Sequence, residues 1–545
     1  MHNKPISTCF KGGIIISIFK YYHNKEKSAN TEKDKNCKKE PPRQIELSIE
    51  LTSNIENIKK IMGYASDVIV REFTITPDTE VKAAVIFIKG LVERELINEQ
   101  VIGALMANDK FNNAKNNVEF FEILKEYGIP SIYVKEEYDV NNILDQLING
   151  NTILLLDKVN KALIVESAGW KERAISEPNA ENVVRGPKDG FTENIENNIA
   201  LIRRRIKSPD LRIEQLIIGA KTKTRILITY LEGVAKEEII NEVRKRLNNI
   251  EMDSVLESGY IEELIEDTPL SPFPQLEHTE RPDRASAAIL EGRIAIVVDT
   301  TPHVLIAPTI FIEFIQSADD YYERFLVGTF TRFVRIVAYF ISITLPAMYI
   351  ALTSYHQEMI PTTLALSIAA SREGVPFPSI GEAFIMEGTF EILREAGLRL
   401  PKQAGQAVSI VGGIVIGQAA VEAGIVSQAM VIVVALTGIS SFAIPAFNAS
   451  ASGRLIRFPL MLMASVLGLP GILAGLSIII IHLNGLRSFG ISYMEPFVSA
   501  KKNEFKDVMV RSPWWAMNRL PSYIAKRGFR RVGANMKPSP DNENK

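Results

Sequence analysis

Apolar positions are spaced in two ways along this chain, and each spacing predicts a different kind of element. From Ile45 to about residue 265, short alternating runs are interleaved with stretches of helical spacing. The strand-like runs are Asp67–Ile75, Ala83–Ile88, Ser131–Val134, Thr152–Leu156, Ala162–Glu166, Leu211–Ile218 and Thr224–Leu231, with helices over 45–62, 93–106, 120–127, 236–247 and 255–265. The DKVNK turn joins Thr152–Leu156 to Ala162–Glu166 as one hairpin, and Gly292–Val298 with Val304–Ile306 makes another. From Val334 the runs lengthen: Val334–Leu352, Ala404–Ala423, Ser427–Phe447 and Leu455–Leu483 are almost wholly apolar. About 20 apolar residues cross a bilayer as a helix, because lipid leaves the backbone no partner but its own turns.

The fold class this predicts is α+β, with an N-terminal soluble region of two mixed α/β subdomains followed by a polytopic all-α membrane domain. The expected divisions are a basic, structureless arm over 1–43, a first subdomain over 44–168, a second over 169–291, and a juxtamembrane hairpin with an amphipathic segment over 292–333. A membrane domain over 334–484 and a basic aromatic tail over 485–545 complete the chain. Residues 361–398 fit less easily. Thr362–Ala370 is apolar but short, and Ser379–Ala396 is an amphipathic helix with Glu387, Glu391 and Glu395 four apart, able to lie in the interface or to line water within the membrane.

Charge sharpens that question. Residues 1–43 carry ten Lys/Arg against four Asp/Glu and residues 498–545 carry eleven against four, so both ends are basic and belong on the cytosolic side. Four crossings would then leave Arg399, Lys402, Arg454 and Arg457 on the other side. A crossing by 361–398 would bring them back but send the basic C-terminal tail out unless a further crossing existed, so the count stays open at four to six. The two cysteines, Cys9 and Cys37, both lie in the polar arm and build no disulfide framework, which fits a reducing compartment. The apolar run Gly12–Phe19 is too short to span and lacks a small-residue cleavage site.

No catalytic, cofactor or metal constellation emerges, and the chain reads as a non-enzyme. The six histidines show no paired ligand spacing, and there is neither a phosphate loop nor a nucleophile elbow. An arginine triplet at 203–205 ends a helix that Thr192 can cap, where it complements the helix dipole better than it suits nucleic acid. Gly405, Ser409, Gly413 and Gly417 fall four apart and make one small-residue face for helix packing, while Gln418 and Glu422 point away from it. Those two either face headgroups and water or, with several copies around an axis, line a pore. Pro346, Pro445 and Pro470 would free the carbonyls of Ser342, Ser441 and Val466, either as kinks that shape a bundle or as a bendable gate, with Thr344, Ser440 and Ser465 near enough to help satisfy them. Trp514 and Trp515 beside Arg519, Lys526, Arg527, Arg530 and Arg531 suit an anionic membrane surface.

Assembled, these stretches resemble the A-type subunit of a GerA-family spore germination receptor. The resemblance rests on GNTILLLD at 150–157, VVRGPKDGFTENIENNIALIRRRI at 183–206, TERPD at 279–283, HQEMIPTTLALSIAASREGVPFP at 356–378 and GQAVSIVGGIVIGQAAVEAGIVS at 405–427. The arm before Ile45 departs from the family pattern, and Thr300 stands where glycine is common. What the resemblance implies is a multi-pass protein of the spore inner membrane whose soluble region faces the core. Its partners would be membrane lipid, a transporter-like B-type subunit that holds the nutrient, and a C-type lipoprotein subunit. The A-type chains would assemble as a homo-oligomer, a pentamer, forming an ion channel that turns germinant sensing into ion release. The other readings are a non-conducting scaffold for the receptor and a solute transporter.

Overall fold

The computed structural model describes residues 45–75, 81–103, 105, 117–125, 134–169, 178, 181, 183–400, 415–499, 504–526, 530–533 and 536–538. Two five-stranded antiparallel sheets come first. β1 (Val68–Thr74), β2 (Lys82–Ile88), β3 (Val134–Glu137), β4 (Thr152–Leu156) and β5 (Ala162–Val165) lie in the order β1-β2-β4-β5-β3. Alternate residues of the central strands serve two cores. Ala84, Ile86, Ile153, Leu155 and Ile164 pack under α1 (Leu51–Ile61) and α2 (Val140–Ile148), while Val85, Leu154 and Leu163 meet Phe120 and Phe121 on the other face.

The second sheet repeats the first. β6 (Leu211–Ile218), β7 (Thr224–Leu231), β8 (Glu277–Thr279), β9 (Ile294–Val298) and β10 (Val304–Ala307) lie in the order β6-β7-β9-β10-β8. One face carries α4 (Glu237–Asn248) and α5 (Ser258–Ile265), the other α3 (Ile195–Arg205) and α6 (Pro282–Leu290). The likeness reaches single hydrogen bonds. Asn54 accepts from the Ser48 amide at 2.8 Å and donates back to the Ser48 carbonyl at 2.6 Å, and Asn198 does the same to Thr192 at 2.7 and 2.6 Å. Asp157, just after β4, accepts from the first amide of α1 at 3.3 Å, and Asp299, just after β9, accepts from the first amide of α3 at 3.4 Å. The hairpin over 292–306, expected as a juxtamembrane element, is therefore the centre of the second sheet. Alternation marks a strand pair but not which strands flank it.

After each of those aspartates the chain takes a left-handed residue, Lys158 with φ 64° and Thr300 with φ 72°. A β-branched side chain is disfavoured there, and both positions are exposed. Thr300→Gly is expected to stabilise the chain by about 1 kcal/mol, read as a higher unfolding midpoint. An unchanged midpoint would show that the turn relaxes around threonine.

The rest of the described chain is mainly helical. α7 (Phe325–Ser354) is followed by α8 (Thr362–Arg372), α9 (Ser379–Arg399), α10 (Gly417–Glu422), α11 (Gln428–Phe442), α12 (Phe447–Leu467) and α13 (Leu469–Gly485). Among the described residues only α7 is both long and apolar enough to cross a membrane alone, and α11 and α13 are shorter apolar helices. Residues 455–483, expected as one span, form two helices that turn back at Gly468, where φ is +65°. A left-handed glycine followed by Pro470 in the first turn of α13 stops one helix and starts the next. The hairpin is tight, since a β-carbon on Gly471 would overlap the carbonyl of Met463.

Candidate functional site at the junction of sheet and helices

The helical part has two ends, fixed by its contacts. At the end next to the second sheet, Ser271 meets His482 at 2.9 Å, Ser452 donates to the Pro272 carbonyl, Asn448 meets His278 at 3.0 Å, and Tyr493 donates to the Pro274 carbonyl at 2.7 Å. At the far end Tyr349 meets Ser427, Thr353 meets Ser379, and Glu382 accepts from the Ser427 amide at 2.9 Å and from Arg372 at 3.1 Å. α7 and α12 leave the sheet, while α9, α11 and α13 return to it.

The base of α7 is clamped by charge. Asp320, fully buried, accepts from Arg332 at 3.2 Å and Arg335 at 2.8 Å, and Arg332 also reaches Asp507 of the C-terminal segment at 3.0 Å. Tyr321 donates to Asp507 at 2.7 Å, and burial raises the Tyr321 phenol well above its ordinary range. The same segment folds back over the second sheet. Ala525 bridges to Ala235, Lys526 pairs with Glu237 at 3.2 Å and Arg531 with Glu291 at 2.8 Å, while Trp514 stacks under Arg511 and Arg531. Lys526 and Arg531, two of the five tail cations that suit a lipid surface by sequence, are thus paired within the protein.

Between β8, β10, α6 and the link from α11 to α12 lies a cavity of ≈ 40 Å³ lined by Glu277, His278, Arg284, His303, Phe447 and Asn448. That volume suits ordered water rather than a nutrient-sized ligand. Arg284 pairs with Glu277, and the rings of His278 and His303 lie edge to face at 5.4 Å. Burial, with His303 adding to it, pulls the His278 imidazole down to about 4, so at neutral pH its Nδ1 accepts from Asn448. Glu262 lies 4.0 Å from that nitrogen, and burial, then Glu266 and Glu257, push its carboxyl up to about 7.

The two groups make stability depend on pH in opposite senses. His278 contributes fully above its unfolded value of 6.5, and that contribution is lost as pH falls toward 4. Glu262 contributes fully below its unfolded value of 4.5, and that contribution is lost as pH rises through 7. Glu262→Gln cannot ionise. It is expected to be more stable than wild type at pH 8 by on the order of 2 kcal/mol, the two curves converging as pH is lowered to 4.5. Parallel curves over that range would refute the assignment.

The residues singled out from sequence are only partly brought together. Gly405, Ser409 and Gly413 lie outside the described residues. Gly417 is buried, but a β-carbon there would meet Val431 only at an ordinary 3.5 Å. Gln418 donates to Glu422 at 2.9 Å on the exposed side of α10, so each satisfies the other. Pro346 lies inside α7, Pro445 in the link between α11 and α12, and Pro470 at the start of α13, where it costs no hydrogen bond and kinks nothing. Pro459, inside α12, has no counterpart in the sequence reading.

The carbonyls four residues before Pro346 and Pro445 find donors on α12, although Pro445 lies past the end of α11. Arg457 Nε donates to the Ser342 carbonyl at 2.7 Å, and Ser450 donates to that of Ser441 at 2.8 Å. Thr344 turns instead to its own helix at Phe340. Arg457 also pairs with Glu387, both fully buried, and Arg454 pairs with Glu391 at 2.6 Å. Sequence reasoning found the acids at spacing four and the stranded arginines without joining them. A search for a partner to every charge in an apolar segment would have done so.

A family model described as Bacillus/Clostridium GerA spore germination protein matches residues 56–523. The chain belongs to this family, as an A-type subunit. It is 46% identical to spore germination protein KA of Bacillus subtilis (strain 168) over 92% of this chain and 91% of that protein. It is 43% identical to the membrane protein YfkQ of the same organism, covering 91% and 96%, and 38% identical to spore germination protein GerLA of Bacillus cereus, covering 88% and 96%. The crystal structure of the N-terminal domain of the A subunit of the Bacillus megaterium spore germinant receptor GerK3 aligns with 49% of this chain and 98% of its own, at 37% identity and a TM-score of 0.39. The family places the chain in spore germination, in association with membrane.

Proposed function

We propose that the chain transmits a germinant signal from its soluble region to an ion-conducting helical part in the spore inner membrane. It would do so as a homo-oligomer, a pentamer, acting with a transporter-like B-type subunit and a C-type lipoprotein subunit. The observation that carries the reading is the junction: α12 and α13 are bonded to loops and strands of the second sheet and α7 to Asp320 beyond β10, which couples a shift of that sheet to these three helices. The large apolar residues left exposed on the helices, among them Phe330, Phe333, Phe340, Ile432, Ile439 and Ile481, support lipid or another copy as their neighbour.

Six passes are the topology we infer. Phe325 and Gly485 lie at the sheet end, as does the close of α9, while Gly424 lies at the far end beside Gly374. Six passes put Arg399 and Arg454 toward the same side as both basic termini and leave Arg457 paired with Glu387 within the span, with the soluble region toward the core. The experiment is cation flux through liposomes that hold the purified chain, with Gln418→Ala and Glu422→Gln. Conduction is expected, changed by either substitution. A folded oligomer that passes no ions with or without its partner subunits would favour a scaffold, and saturable solute binding by the isolated chain would favour a transporter.

A further inference from the structure

The seam between α9 and α12 holds one cation more than it can pair. Arg457 is matched by Glu387 and Arg454 by Glu391, and Glu395 is taken by Arg399 at 2.6 Å. Among the described residues no carboxylate pairs with Arg394. Its Nε and Nη1 are buried without a hydrogen-bond partner, and its guanidinium lies over the rings of Phe442 at 5.1 Å and Phe447 at 5.5 Å. Arg454 lies over the same Phe447 ring at 5.9 Å, and its Nε is also buried without a partner. No acid occurs anywhere in the stretch 401–414 that follows α9.

We propose that Arg394 and Arg454 form a binding site for a phosphate-type oxyanion, at the end of the helices that meets the second sheet. A guanidinium offers paired N–H groups that match two oxygens of a phosphate, and the aromatic faces hold its plane without competing for those protons. Both guanidinium groups lie within 6 Å of the same Phe447 ring, so a guest held by Arg394 has a second cation nearby, and a guest of charge −1 balances the seam. Glu391 Oε1, buried without a partner, supplies an acceptor for a hydroxyl or a protonated phosphate oxygen. Two sources present this chemistry, a phospholipid headgroup and free phosphate. The lipid source rests on the membrane reading above, because only in a bilayer does this end of α9 and α12 meet headgroups.

The test uses the purified full chain, as wild type, Arg394→Gln, Arg394→Lys and, as a control for general charge, Arg399→Gln. Unfolding midpoints are compared in nanodiscs of phosphatidylglycerol and of phosphatidylcholine, and in detergent with inorganic phosphate or chloride at equal ionic strength. Wild type and Arg399→Gln are expected to be stabilised by the phosphate-bearing anion, and Arg394→Gln to lose at least half of that shift. Loss confined to phosphatidylglycerol identifies a lipid headgroup, and loss with inorganic phosphate in detergent identifies free phosphate. If Arg394→Gln does not fold, Arg394→Lys, which keeps the charge but not the fork, is expected to lose the larger part of the response. A wild type that responds to neither anion, or an Arg394 variant that responds as wild type does, overturns the proposal. Failure of the chain to float with liposomes of either lipid would instead count against the membrane reading and leave the phosphate arm in detergent standing.

Discussion

Arg457→Leu is expected to cost about 3–5 kcal/mol, enough to remove most folded protein from a marginally stable chain. The substitution leaves Glu387 buried and uncompensated, and it strips the Ser342 carbonyl of the Arg457 donor where Pro346 has no N–H to offer. Glu387→Leu should cost a similar amount. The double replacement Glu387→Leu, Arg457→Leu should recover at least half of the loss, since an apolar pair of similar volume leaves no buried charge behind. The measurement is the unfolding midpoint and monodisperse yield in detergent for the three variants. Single variants as stable as wild type would mean that water reaches the seam and that the pair is not buried when the protein works. Pro346→Ala provides a further check, because its restored N–H competes for Ser342 and should lessen the penalty of losing Arg457.

Asp67→Ala is expected to have an effect of the same order, about 3–5 kcal/mol, at the contact between the two sheets. Arg203 Nε and Nη2 donate to the two oxygens of Asp67 at 2.8 and 3.0 Å, and neither side chain is exposed beyond 6%. That geometry fixes α3 of the second unit against the start of β1 in the first. The neighbouring bonds from the Ser66 amide to the Ile213 carbonyl and from Arg212 to the Ile61 carbonyl follow the same boundary. Asp67→Asn should cost less, because one oxygen can still accept, and hydrogen exchange should rise first in α3 and β1. Loss of stability spread evenly over both sheets would show that the pair supports one cooperative unit rather than a boundary.

Arg203 also shows how far sequence reading carries. A cation in the last turn of a helix is explained well enough by the helix dipole, and that explanation covers Arg203, Arg204 and Arg205 alike. Folding separates them: Arg203 is buried on Asp67, while Arg205 turns to Asp189, with the cap supplied by Asn194 rather than Thr192. Nothing in the local pattern distinguishes three adjacent arginines, because their difference lies in what packs against each face. The prolines behaved similarly. That Pro346 frees the Ser342 carbonyl follows from its place inside α7, whereas Pro445 falls past the end of α11, and in both places the donor is not one of the hydroxyls expected from sequence. Both partners lie on α12, more than a hundred residues away for Arg457.

The two classes of segment, the strand and helix content of the soluble region, the long apolar runs and, through its motifs, the family are all legible along the chain. These follow from the spacing of apolar side chains and from runs of specific residues, which are local properties. That the two sheets are copies of one topology emerges from the folded chain alone. Asp157 and Asp299, or Asn54 and Asn198, occupy equivalent places through hydrogen bonds that the intervening sequence does not preserve. It alone paired Glu387 with Arg457 and Glu391 with Arg454, and it seated the helix ends on the second sheet. A charge in an apolar segment announces that it needs a partner, but which partner it meets depends on the packing of helices far apart in the chain.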